Sequence, residues 1–296
     1  MSIKIISLLN QKVESLERRI FILKLKINNL FKSEVGVNKY EERSKKIVVS
    51  LTTYPKRFKA VYLTLETLLS QEKKPDKIIL YLSKEETSEY DVPRKISRLK
   101  RRGIEIRFVD GNLRSYKKLI YVLKEHPNDL IITVDDDILY PSYFIEDIYN
   151  KYLQYEDCIV AYRCSVMVKK DEKSLMPYLT WKSAKNCSTP SYNLFFTGVG
   201  GVLYPPHALD QEVFNKDLFM KLSPTADDVW FKAMSLLKRT KVVQVYKDMK
   251  EFPIINGSQE DALWKINNEQ NHNDIQLKQV FDYFDLYQHI DEGKNE

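Results

Sequence analysis

From Lys46 onward, short β-branched runs alternate with segments of helical period. That alternation leaves little room for anything but a mostly parallel sheet covered by helices on both faces. Strands are expected at 47–53, 77–82, 104–110, 130–134, 158–164, 193–204 and 241–246, and helices near 58–72, 93–102, 115–126, 141–154 and 225–239. The stretch 165–192 is polar and broken by Pro177 and Pro190. A connection of that length in a compact domain is usually functional, here a candidate lid or acceptor loop. The Asn-rich C-terminal part carries two short helical patterns, around 258–268 and 274–287.

The first thirty residues obey another period. Ile6, Val13, Ile20 and Ile27 fall at one heptad position and Leu9, Leu16, Leu23 and Leu30 at the other. β-Branched residues at a with Leu at d favour a parallel two-stranded coiled coil, so residues 6–30 are expected to form a homodimer. Ile5, Phe21, Ile22 and Leu25 widen the apolar stripe, which keeps open a helix packed on its own body or lying on a membrane surface. The expected organisation is a coiled-coil or amphipathic helix at 1–33, a flexible linker with Gly36 at 34–45, and one α/β domain at 46–296.

Charge follows this division. Residues 1–46 hold 11 Lys/Arg against 5 Asp/Glu, out of totals of 47 and 41, so the rest carries 36 of each sign and the whole excess of +6 lies in the arm. A neutral body argues against nucleic-acid binding, whereas a basic arm suits anionic lipid headgroups or an acidic partner. Cys158, Cys164 and Cys187 are odd in number and lack metal spacing, as expected of reduced thiols. No apolar run reaches the roughly 18 residues that span a bilayer, and no signal-peptide pattern opens the chain. A cytoplasmic protein is expected, with peripheral contact at the inner membrane face as its one membrane option.

Chemistry concentrates where the apolar run 130–133 ends in Asp135-Asp136-Asp137. Ligands of open α/β sheets bind beyond the carboxyl ends of strands, and adjacent carboxylates relieve their repulsion by holding Mg²⁺ or Mn²⁺ together with substrate phosphates. An Asp-rich turn before a helix start at Pro141-Ser142 is the plainer alternative. No Walker A or G-x-G-x-x-G sequence is present; the glycine-rich element is Thr197-Gly198-Val199-Gly200-Gly201, inside a strand pattern, where glycine marks close ligand approach or a β-bulge. A second acidic site, Asp227-Asp228, follows Ser223-Pro224-Thr225 at a helix start. Capping accounts for one of the two acids; the other reading is a general base.

In this order the motifs resemble those of nucleotide-sugar-dependent glycosyltransferases of the GT-A fold, especially family-2-like bacterial enzymes of capsular and lipopolysaccharide synthesis. The resemblance covers roughly 46–246. It rests on the opening strand through Thr52-Thr53-Tyr54-Pro55-Lys56-Arg57, on Tyr116-Lys117-Lys118-Leu119-Ile120, on Asp135-Asp136-Asp137 as a D-x-D motif, and on Ala226-Asp227-Asp228 in place of x-E-D. The Gln-Trp-rich signature of processive synthases is absent, which points to transfer of a single sugar.

The resemblance implies a nucleotide-sugar donor, a glycan or lipid-linked glycan acceptor, and an Mn²⁺ or Mg²⁺ ion held by Asp135 and Asp137, with Asp136 near the ribose or as a second ligand. It further implies Thr52, Thr53 and Tyr54 around the nucleoside, Arg57, Lys117 and Lys118 on phosphate, and Gly200 and Gly201 against the donor sugar. Asp228 would be the base of an inverting reaction, with Asp227 as second choice. Trp181, Tyr178 and Tyr192 are candidates for stacking on an acceptor sugar, and His207 and His272 for the metal shell or the plain surface. Two other readings are a nucleotidyltransferase or pyrophosphatase using the same metal and phosphate site, and a coiled-coil scaffold that binds sugar nucleotides without turnover.

Overall fold

The structure, a computed structural model, describes residues 2–184, 189–247, 251–257 and 272–290, with side chains from Val13 onward. Cys187 and the helical pattern at 258–268 lie outside the described residues. The strands are β1 (Ile47–Thr52), β2 (Lys77–Ser83), β3 (Ile104–Val109), β4 (Leu130–Thr133), β5 (Ile159–Ala161), β6 (Cys164–Val166), β7 (Lys169–Asp171), β8 (Ser174–Leu175), β9 (Leu194–Phe196), β10 (Val202–Tyr204) and β11 (Val242–Gln244). The helices are α1 (Ser2–Phe31), α2 (Phe58–Leu68), α3 (Arg94–Ser97), α4 (Lys117–Glu125), α5 (Phe144–Gln154), α6 (Lys216–Leu222), α7 (Asp227–Leu237) and α8 (His272–Phe284).

Seven strands form the expected open sheet, in the order β11-β5-β10-β4-β1-β2-β3, parallel throughout except for β10, which runs antiparallel to β4 and β5. Both faces are covered, so the central strands read as continuous apolar runs instead of alternating ones. Adjacent residues serve opposite cores: Val48 belongs to the one that holds Leu119, Ile131 and Trp230, Val49 to the one that holds Leu65, Ile132 and Phe144. From β1 the chain builds outward through β2 to β3, then returns to place β4 on the other side of β1. The crevice at such a reversal is where ligands bind in open α/β sheets.

Two expected strands divide. The run 193–204 gives β9, which leaves the sheet to pair with β6, and β10, which belongs to it. Gly200 and Gly201 stand between them at φ 90° and 100°, a left-handed region that ends extended pairing. The Gly-rich element is therefore a loop between two sheets, not a bulge within a strand. The run 158–164 divides likewise into β5 and β6. The helix expected at 93–102 is α3 followed by a 3₁₀ turn that closes on Gly103 at φ 109°. Cys158 and Cys164 are buried and form no disulfide.

The N-terminal helix packs on its own body through one face and leaves its heptad seam open. Leu25 and Asn29 are buried, and Ile22 packs on the core beside α2. In the heptad register these occupy c and f positions, opposite the seam. Val13, Leu16, Ile20, Leu23, Ile27 and Leu30 remain 48–60% exposed. Asn29 donates to Glu66 Oε1 (3.1 Å), whose other oxygen pairs with Arg102 (2.6 Å) in the core. The segment 34–45, expected to be flexible, is hydrogen-bonded to the body: Gly36 N–H to Arg102 O, Asn38 N–H to Pro75 O, and Arg43 to Asp76. A Cβ on Gly36 would stand 2.5 Å from Leu69 O, so this contact needs glycine. Among the described residues no helix is long and apolar enough to cross a membrane.

Candidate functional site

A cavity of about 860 Å³ opens at the reversal point, over the carboxyl ends of β1 and β4. Its lining brings together Thr52, Thr53, Tyr54, Arg57, Lys117, Lys118, Asp135, Asp136, Asp137, Asp227 and Asp228, residues drawn from elements and loops far apart in sequence. Gly200 and Gly201 do not line it; Thr197, Gly198 and Val199, the first half of the same loop, do.

The acid triplet is divided by its partners. Asp136 is buried and locked, accepting from Thr53 Oγ1 (2.5 Å) and pairing with Arg57 (2.6 Å), while its backbone carbonyl accepts from Thr64 Oγ1 (3.0 Å). Burial raises its carboxyl above the usual value, against the pull of Arg57 and Thr53. Arg57 also reaches Asp137 Oδ2 at 3.2 Å. Asp135 keeps the most exposed carboxylate of the three and pairs with Lys118 (3.1 Å). The turn is completed from afar: Ile255 N–H donates to Asp137 O (2.7 Å) and Leu139 N–H to Pro253 O (2.9 Å), and Arg18 of α1 donates to Ile254 O and Asn256 Oδ1.

The facing wall carries the second acidic site. Asp227 and Asp228 occupy the first turn of α7, but the helix begins at Ala226 without a side-chain cap, so neither acid serves as its N-cap. Asp228 instead accepts the Gly198 N–H through both oxygens (3.0 and 3.1 Å), and Asp227 accepts from Ser115 Oγ (2.8 Å) and pairs with Lys118 (3.3 Å). Burial, and then the charge of Asp227, push the Asp228 carboxyl up to about 7, against Lys118 and the Gly198 N–H. Burial works against the Lys118 ammonium, yet Asp135, Asp227 and Asp228 together hold it well above its ordinary value. A carboxylate balanced near neutrality, facing a cavity, suits proton transfer.

Neither lysine lies on a solvated helix face. Lys118 is occupied by acids, and Lys117 is buried against Glu86 (2.9 Å) and Asn112 (3.2 Å), loop residues after β2 and β3 that the sequence reading missed. Arg114, also missed, sits nearby in a left-handed conformation (φ 51°), its N–H taken by the Asn112 side chain. An acid or amide just beyond each strand end was the available signal.

Of the aromatic candidates, Tyr178 lines the cavity, its phenol pushed up to about 12 by burial and by Asp228. Trp181 does not: it is buried edge-on against Tyr178 and Phe195, with Nε1 donating to Met176 O. Tyr192 lies under Arg239 and Lys241, away from the cavity. His207 is exposed in a turn beyond β10, and His272 begins α8; neither lines the cavity, whereas Asn273 and the exposed Arg163 do.

The donor set fits a hard divalent cation. Asp135 and Asp137 offer carboxylate oxygens at the cavity floor, and among the described residues no three His, Cys, Asp or Glu side chains form a closed cage. Mg²⁺-type ions are commonly held this way, by one or two carboxylates with phosphate and water completing the shell.

No protein-family model and no curated protein sequence matches this chain. Solved structures resemble it at low identity. S. aureus TarS residues 1–349 in complex with UDP aligns at 13% identity and TM-score 0.46, over 70% of this chain and 59% of that one. The mannosyltransferase PcManGT from Pyrobaculum calidifontis, in complex with GDP-Man and Mn²⁺, aligns at 13% and 0.49, over 90% and 70%. A 4-diphosphocytidyl-2C-methyl-D-erythritol synthase aligns at 12% and 0.32, over 48% and 72%. The chain thus spans under two thirds of the length of the TarS structure.

Proposed function

We propose that this chain is a GT-A-type glycosyltransferase of bacterial surface-polysaccharide synthesis, moving a single sugar from a nucleotide-sugar donor to a glycan or lipid-linked glycan acceptor with inversion. The observation that carries the reading is the pairing of two acidic walls across one cavity: Asp135–Asp137 at the end of β4, and Asp228, raised to about 7, at the start of α7. A phosphate-handling site and a poised base are the two parts that sugar transfer from a nucleoside diphosphate requires.

In this reading the nucleoside lies over Thr52, Thr53 and Tyr54, bounded by Glu86 and Asn112. Asp135 and Asp137 would hold the Mn²⁺ or Mg²⁺ ion, which neutralises charge on the departing diphosphate when bound. Asp136, locked by Arg57 and Thr53, fixes the turn on which those two acids stand. Asp228 takes the proton of the acceptor hydroxyl as that oxygen bonds to the anomeric carbon and the bond from that carbon to the diphosphate oxygen breaks. Gly198 holds the base, and Tyr178 and Arg163 border the acceptor's approach. The exposed seam of α1 supports a parallel homodimer through residues 6–30 in the cytoplasm, with the basic arm able to touch an anionic membrane face.

The test is release of nucleoside diphosphate from a panel of sugar nucleotides, with Mn²⁺ or with EDTA. Release from one donor that requires the metal and vanishes in Asp137→Ala establishes the reaction class. Metal-dependent binding without turnover, given a range of acceptors, would instead support the scaffold reading, and no binding at all would overturn both.

A further inference from the structure

Lys118 has a place in this fold that a phosphate contact does not explain. It is the second residue of α4 and is buried, with Nζ 3.1 Å from Asp135 Oδ1 and 3.3 Å from Asp227 Oδ2. A single ammonium thus touches both acidic walls, one at the end of a strand and the other at the start of a helix. Its backbone is anchored as well: Ser50 Oγ of β1 donates to Lys118 O at 2.5 Å. Little space remains around Nζ, since a Cβ on Gly198 would lie 2.7 Å from it and 3.4 Å from oxygens of Asp135 and Asp228. Without this cation, Asp135 and Asp227 would face each other as unpaired, poorly hydrated charges, an arrangement that drives carboxylates apart.

Resting on the transferase reading above, we propose that Lys118 is a positioning residue, a strut that holds the donor-side acid and the base-bearing first turn of α7 at a fixed separation. Displacement of reacting groups by about 1 Å costs on the order of 10²-fold in rate, so the strut acts on turnover more than on donor affinity. Ser115, which holds the other oxygen of Asp227, supports the same arm.

The experiment measures donor turnover and donor KM for wild type, Lys118→Met, Ser115→Ala, Asp227→Asn and the Lys118→Met/Asp227→Asn double variant, with thermal unfolding of each. Lys118→Met is expected to lower kcat by about 10²-fold with donor KM within about threefold of wild type, and Ser115→Ala to show the same signature more weakly. The double variant is expected to be no slower than the slower single one, because residues that act as a unit are non-additive. A donor KM raised at least tenfold with kcat kept would make Lys118 a phosphate contact and overturn the proposal, as would additive losses. Crystal structures of wild type and Lys118→Met give a readout that needs no turnover: displaced Asp135 and Asp227 carboxylates support the strut, and unmoved ones overturn it. A wild type that turns over no donor would sink the transferase reading while leaving that structural test intact.

Discussion

Gly198 donates its backbone N–H to both carboxylate oxygens of Asp228, at 3.0 and 3.1 Å. The loop between β9 and β10 therefore holds Asp228, the proposed base, in place, and a Cβ added at Gly198 would meet Lys118 Nζ at 2.7 Å. Gly198→Ala should reduce turnover by about 10²-fold while leaving the fold intact, because the crowding falls on Lys118, which pairs with Asp135 and Asp227, and not on the core. Turnover assays beside a thermal unfolding curve separate the two effects.

Asp228→Asn removes the proton acceptor but keeps its shape, and turnover should fall by roughly 10²–10⁴-fold. In wild type the acid dependence of kcat/KM should centre near pH 7, not near 4, with the rate rising as pH rises and the carboxylate ionises. Stability should respond with the opposite sign. The folded state binds this proton more tightly than the unfolded chain, so the contribution of Asp228 to stability is greatest below about pH 4 and declines as pH rises through about 7. A pH–rate profile and unfolding midpoints across that range measure both.

The three adjacent acids should not respond alike. Asp137→Ala should abolish metal-dependent donor binding by calorimetry and cost less thermal stability than Asp136→Ala, because Arg57 then keeps its shorter pair with Asp136. Asp136→Ala leaves the buried Thr53 hydroxyl without its acceptor and Arg57 with only its longer contact to Asp137, and should destabilise the protein by about 1–3 kcal/mol even with no donor or metal present. Equal thermal effects of the two substitutions would contradict this division.

Leu16→Glu with Leu23→Glu places charges on the exposed seam of α1 without touching Leu25 or Asn29. Sedimentation should show wild type as a dimer and this variant as a folded monomer.

Glu66 joins α1, through Asn29, to Arg102 in the core, with no exposure of its side chain. Glu66→Ala leaves a buried guanidinium unpaired and should cost about 3–5 kcal/mol in denaturant unfolding.

The central strands were legible because burial on both faces writes itself as unbroken apolar runs, and 130–134 locates β4 with the acids beyond its end. The cavity-facing acids at 135–137 and 227–228 were legible for a related reason, since three acids directly after an apolar run, and two at one helix start, exceed what a turn or a cap requires. What stayed hidden depends on contacts distant in sequence. Lys118 reads as a phosphate contact until α7 brings Asp227 against it. Trp181 reads as a free loop aromatic until Phe195 and Met176 enclose it. The heptad shows its seam plainly, yet nothing in the repeat says that c and f positions dock on α2. Gly200 and Gly201 fit a strand by composition, and only their left-handed torsions divide it.

The acid turn has an order of assembly as well as a geometry. Its backbone is closed by residues 253–255, so during synthesis the ribosome must add more than a hundred residues after Asp137 before that turn can be finished. A nascent chain that has made its central strands and all three acids still lacks the hydrogen bonds that fix them. The acid turn, on which the proposed binding of metal and donor depends, is therefore completed late in translation, after the sheet that carries it.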